Sequence, residues 1–280
     1  MPSNRPAYLV FDVETVSDGR LIQRVRYPDC PELEPAAAVA RHRSELLERT
    51  GSDFIPASFA LPISVAVAKV GSDHSLLDLV SLDRPRFRPQ MIARQFWDGW
   101  RHYGQPTFVT FNGRSFDMPV MELAAYRYGL SLPEWFDTSG PGYSHPRNRF
   151  NHALHLDLQE VLTNFGSMRM HGGLDLLATI LGKPGKMDTK GHMVQDLWEA
   201  GEGERIDDYC MCDVLDTYFV FLRTRVVQGR LACEREAELV AAARELVATK
   251  AEANAALAQY LERFGSWQPY GPEDAPFVRE

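Results

Sequence analysis

The stretch YLVFDVETVSDG, Tyr8 to Gly19, runs from apolar strand formers straight into two acids, Asp12 and Glu14, one residue apart. Side chains alternate along a strand, so these two carboxylates share one face and lie close together. Charges of like sign at that separation raise each other's pKa unless a cation stands nearby. Two readings follow: a strand end that dips into solvent and hydrates both acids, or a site for a hard divalent cation, which takes several carboxylate oxygens on one side.

Downstream, LPISVAVAKV reads as a second strand with Leu61, Ile63, Val65 and Val67 on one face and small residues opposite, and HSLLDLVSL as a third. The excursion between the first two strands is far longer than a hairpin loop and carries a helix, PAAAVARHRSELLERTG, that ends at Gly51. A helix near Pro89 to Tyr103, the strand TFVTFN and a helix from FDMPVMELAAYRYG follow. Ser131 to Asn151 reads as a loop rich in Pro, Gly, Ser and Arg. Helices are expected over Asp157 to Phe165, Leu174 to Leu181 and Met193 to Glu199, then a long one from Ile206 to Val226 and a charged amphipathic one from Leu231 to Phe264. Early strands, late helices and a strand parallel to the first indicate an α/β fold with a mixed central β-sheet flanked by helices. Residues 1–230 form its main unit, with a helical insertion at about 17–60, and 231–280 a C-terminal helix and tail.

A chain of 280 residues, 45% hydrophobic and 24% charged, has the composition of an ordinary globular protein. No apolar stretch is long enough to span a bilayer and the N-terminus lacks the features of a secretory signal, so no membrane association and a cytoplasmic location are expected. Cys30, Cys210, Cys212 and Cys233 form no zinc spacing and read as structural thiols. The net charge of −8 runs against a nucleic-acid partner, although acids that bind metal account for part of it. Basic clusters that could line a cleft are Arg20/Arg24/Arg26, Arg84/Arg86/Arg88, Arg147/Arg149 and Lys183/Lys186/Lys190; taken alone, each reads as solvated surface.

Two further acids occur in telling places. In TFVTFNGRSFDMPV a strand ends at Asn112 and a helix begins near Asp117, and strand ends of α/β sheets are where ligands collect. Asp117 serves equally as a helix N-terminal acid and Asn112-Gly113 as a turn. In IDDYCMCDVLDTYFVFL, Tyr209 and Asp213 are four apart on one helical face bordered by Val214, Tyr218 and Phe221, which would hold Asp213 against the sheet. Asp207, Asp208 and Asp216 read as exposed helix acids.

Taken in order, Asp12-x-Glu14, Asn112-x3-Phe116-Asp117 and Tyr209-x3-Asp213 resemble the three motifs of the DEDDy 3′-5′ exonucleases. The nearest resemblance is to the family related to the proofreading exonuclease domain of family B DNA polymerases, supported by HLDL at His155 to Leu158 and LGKPGKMD at Leu181 to Asp188. It covers most of Tyr8 to Arg225. The resemblance implies a ribonuclease H-like fold and hydrolysis of single-stranded or frayed DNA from its 3′ end, releasing nucleoside 5′-monophosphates. Two divalent ions, Mg²⁺ or Mn²⁺, are implied on Asp12, Glu14, Asp117 and Asp213, with Tyr209 orienting the attacking water. Asn112 and Phe116 would hold the terminal nucleotide. Lys183 and Lys186, in a flexible lysine-bearing stretch, suit a phosphate-contacting loop or an ordinary surface loop. A polymerase or repair protein is an expected partner. An RNA-trimming enzyme of the same chemistry and a catalytically silent nucleic-acid-binding module are the alternatives.

Overall fold

The computed structural model describes residues 5–185 and 191–267. Five strands form one sheet in the order β3-β2-β1-β4-β5: β1 is Tyr8–Ser17, β2 Ala60–Val70, β3 Leu76–Ser81, β4 Thr107–Thr110 and β5 His155–Asp157. β1, β2 and β3 pair antiparallel, whereas β4 runs parallel to β1 and β5 parallel to β4. This mixed sheet flanked by helices is the ribonuclease H-like arrangement expected from the sequence.

The alternation of β1 decides which layer each side chain joins. Leu9, Phe11 and Val13 pack with Phe96, Trp97 and Trp100 of α3 (Pro89–His102) and Met121 and Ala125 of α4 (Asp117–Tyr128). Val10 points the other way, into a core shared with Cys210, Val214, Tyr218 and Phe221 of α8 (Gly203–Val227). Asp12 and Glu14 continue the Val10 face, so both acids are carried toward α8. They pair across to Ala66 and Ser64 of β2, and these small residues let the long helix approach the sheet. The register shifts between Glu14 and Thr15, where the neighbour is Pro62. Bulges of this kind re-aim a side chain or end the pairing.

α8 lies between the sheet and a further helical layer. The single helix expected over Leu231 to Phe264 is two, α9 (Cys233–Ala251) and α10 (Ala255–Glu262), because Asn254 stops one and caps the next by accepting from the Leu257 N–H at 3.0 Å. Leu239, Ala243, Val247, Leu257 and Tyr260 join the same core as α8. Packing on both sides of α8, the sheet side for Asp207 and the covering layer for Asp216, overturns the reading of these two acids as exposed. Asp207 is fully buried, bonded to Ser64 and Ser81 and to Arg84 at 3.0 Å, and Asp216 accepts from the Tyr260 hydroxyl at 2.6 Å. Asp208, by contrast, is half-buried and holds Arg84 and Asn254.

The insertion contains α1 (Gly19–Arg26), absent from the sequence reading, and α2 (Pro35–Thr50). Asp18 caps α1 by accepting from the Leu21 N–H and pairs with Arg127 of α4, which ties the insertion to the main body. α2 ends as expected at Gly51, whose φ of 74° is left-handed and suits glycine. Ile22, Tyr27, Ala38 and Val39 make a small core of their own. Among the described residues, no helix is long and apolar enough to cross a membrane.

Candidate active site

Because β1, β4 and β5 are parallel, their C-terminal ends open on one edge of the sheet, and three of the sequence motifs meet there. Carboxylate oxygens of Asp12, Glu14 and Asp213 lie within 4.8 Å of one another, each residue half-buried. Tyr209, one helical turn before Asp213, is nearly buried beside them. Its phenol is pushed far above its ordinary range by burial, then by the charges of Asp213, Glu14 and Asp12. The phenol is thus placed to act as a hydrogen-bond donor beside the acids.

Asp117 sits at the first turn of α4 and is 5% exposed. One of its oxygens accepts from the Val13 N–H at 3.0 Å, between the two acids of β1. It lies outside the group of three whose oxygens meet within 4.8 Å, yet it is close enough for its charge to raise the Asp12 pKa. Burial is the larger cause of that rise, and burial also raises Asp117 itself. An all-oxygen set of converging acids matches the donor chemistry of Mg²⁺ or Mn²⁺.

The turn from β4 to α4 is held by a residue that the sequence marked only as part of HLDL. Asp157, buried at the end of β5, accepts from the Asn112 N–H at 3.0 Å with one oxygen and from the Arg114 N–H at 2.9 Å with the other. The same carboxylate caps α5 (Leu158–Leu162) through the N–H groups of Gln159 and Glu160. Gly113 is obligatory between them, since a Cβ there would lie 2.5 Å from Thr110. Asn112, at φ 63°, is exposed, and its side-chain oxygen accepts from the Ser115 hydroxyl at 2.7 Å. His155 is buried and shares a 2.8 Å hydrogen bond with Thr110, in keeping with a packed rather than a reacting histidine.

Two contacts were hidden from sequence reasoning. Phe54, in the loop after α2, is 63% exposed and meets Phe116 with ring centroids 5.8 Å apart. An aromatic in an irregular loop has no periodicity to announce it. Cys210, adjacent to Tyr209, lies 3.4 Å from the Asp12 carbonyl oxygen and 3.7 Å from its carboxylate, so this thiol packs beneath the acids.

The lysine reading needs correction. Lys183 is 7% exposed, donates to the Gly265 carbonyl at 3.2 Å and stands 3.8 Å from the Phe264 ring centroid. Its amine is engaged with the C-terminal segment, not with the acid cluster, and burial lowers its pKa to about 8. Lys186 and Lys190 lie outside the described residues. Arg84, Arg88 and Arg147 are taken up in ion pairs with Asp207, Asp83 and Glu122 respectively.

A DNA polymerase of Pyrococcus glycovorans is 29% identical over 151 residues, which is 52% of this chain and 19% of the polymerase. A solved family B DNA polymerase from the hyperthermophilic archaeon Pyrobaculum calidifontis aligns with 95% of this chain and 31% of its own, at 15% identity and a TM-score of 0.49. The chain thus spans well under half the length of either relative. Residues 52–264, from the end of the insertion through α10, match the family described as "Predicted 3′-5′ exonuclease related to the exonuclease domain of PolB", and the chain belongs to that family.

Proposed function

We propose that the protein hydrolyses phosphodiester bonds of single-stranded or frayed DNA from the 3′ end, with two divalent ions, releasing nucleoside 5′-monophosphates. The observation that carries this reading is the convergence of Asp12, Glu14 and Asp213 within 4.8 Å beside the Tyr209 phenol. Asp12, Glu14 and Asp213 would hold one Mg²⁺ or Mn²⁺, and Asp12 with Asp117 a second. The chemistry that such ions would supply there is a lowered pKa for a water and charge stabilisation of the leaving oxygen. Tyr209 would orient the water by hydrogen bonding; a phenol at its ordinary pKa is a poor base at neutral pH.

The remaining residues position the strand. The Asn112 side chain is exposed at the mouth of the site and offers hydrogen bonds to the terminal nucleotide. Phe116 offers a ring on which any base can stack, and Phe54 from the insertion borders it. Stacking reads no sequence, which suits an enzyme that removes any 3′ nucleotide. Lys183 has no part in this reading.

The test is a 5′-labelled single strand incubated with Mg²⁺ and, separately, with EDTA. A ladder that shortens stepwise from the 3′ end only with metal is expected, with the matched RNA strand reporting sugar preference. Short fragments at the earliest time, or cleavage of a closed circular strand, would show an endonuclease and overturn the proposal. Asp12→Ala, which removes a ligand without removing core packing, should abolish the ladder.

A further inference from the structure

Outside the acid cluster, the described surface carries a second group of chemically suited side chains, at the β5 edge of the sheet. Phe150, 65% exposed, meets Phe165 edge to face with centroids 4.8 Å apart, and His152 stacks on the other ring at 5.9 Å and 23°. The Arg149 guanidinium lies over both phenylalanines, 5.8 and 5.4 Å from their centroids. Phe165 holds a left-handed φ of 56°, a conformation that a bulky residue adopts only when its surroundings impose it.

The charge of this patch is positive. Arg149 and Arg114 share one carboxylate, that of Glu160, so two guanidinium groups meet a single negative charge. His152 is kept neutral first by burial and then by the field of Arg114, with Arg225 and Arg230 adding to it. Arg230, exposed just past the end of α8, extends the basic surface in that direction. Arg225 is buried with its Nε unpartnered, although its Nη1 donates to Gln228.

The patch is also connected to the candidate site. Arg114 belongs to the turn that Asp157 pins between Asn112 and Asp117, and its Nε bonds Glu160 at 2.9 Å. β5 lies two strands from β1, about 10 Å at ordinary strand spacing. A strand whose 3′ end sits at Asn112 can leave the site along this edge.

We infer that Arg149, Phe150, His152 and Phe165 form a track for the nucleotides on the 5′ side of the terminal one, with a base stacked on the exposed Phe150 ring, which the half-buried Phe165 and His152 rings support, and phosphates drawn by the arginines. Exposed aromatic rings interleaved with basic groups are the general means of holding a single strand without reading its sequence. The inference rests on the exonuclease reading.

The test measures affinity and hydrolysis separately. Calorimetric titration in Ca²⁺ compares an unlabelled thymidine trinucleotide, confined to the acid site, with a dodecanucleotide that reaches the track. Phe150→Ala and Arg149→Ala both alter exposed side chains, and circular dichroism checks their fold. Each should weaken dodecanucleotide binding on the order of tenfold while changing trinucleotide binding less than twofold. Arg149→Ala should also reduce the slope of log affinity against log salt by about 0.7 for the lost phosphate contact. Unchanged dodecanucleotide affinity, or equal loss for both lengths, overturns the track. If the wild-type protein binds the dodecanucleotide through these residues but hydrolyses neither strand in Mg²⁺, the track stands and the exonuclease reading fails.

Discussion

Replacing Asp157 with Ala tests whether one buried carboxylate organises the site without touching metal or substrate. The side chain satisfies four backbone donors, those of Asn112, Arg114, Gln159 and Glu160. Loss of the cap on α5 costs about 1 kcal/mol. The two turn N–H groups are only partly buried and recover some water bonds, so about 1 kcal/mol each is a fair charge for them. The sum, about 3 kcal/mol, corresponds to a fall in Tm of about 6 to 12 °C for a chain of this size. Asp157→Asn keeps one accepting oxygen but turns an amide toward the Arg114 N–H, so its loss should be smaller. Activity should fall in the same order, because the freed turn carries Asn112 and starts the helix bearing Asp117. Thermal unfolding in EDTA and hydrolysis well below the unfolding range are the assays. An Asp157→Ala protein with wild-type Tm and wild-type rate would refute the reasoning.

Lys183→Met should leave KM for a single strand within twofold, since the amine faces Gly265 and Phe264; a tenfold rise would return the lysine to the substrate. Phe54→Ala should raise KM about tenfold if that ring helps hold the terminal base, whereas a fall in KM would mean that Phe54 obstructs Phe116. Asp216 is raised by burial from 3.8 to about 7, so the folded state binds the proton more tightly than the unfolded chain does. Wild-type stability from this group is therefore present below about pH 4 and lost as pH rises to about 7. Asp216→Asn should be more stable than wild type at pH 8, by about 2 to 4 kcal/mol at most, with the gain vanishing near pH 4. Urea midpoints that differ equally at both pH values would contradict this.

The parts of the fold legible in the sequence were those with a strong local signal. Alternation in Tyr8 to Glu14 and Leu61 to Val70 marks two central strands, and Gly51 marks a helix stop because only a left-handed residue fits there. β5 escaped notice because three residues, all buried, show no alternation. Asp207 and Asp216 were misread because α8 is covered on both sides, and a helix without a solvent face offers no pattern to separate paired acids from exposed ones. The spacing of Tyr209 and Asp213 puts them on one face, but only the fold brings β1 opposite. Lys183 followed a loop's lysine content, which says nothing of where an amine turns; Phe54 and the roles of Asp157 depend on contacts across more than forty residues of sequence.

Anomalous diffraction from crystals soaked in Mn²⁺ tests the acid cluster most directly, because it locates the ions without relying on turnover. Density is expected among Asp12, Glu14 and Asp213, with a second peak between Asp12 and Asp117, and both should disappear in Asp12→Ala crystals. Saturating Mn²⁺ that leaves these four carboxylates without a peak would contradict the assignment of the cluster as a metal site.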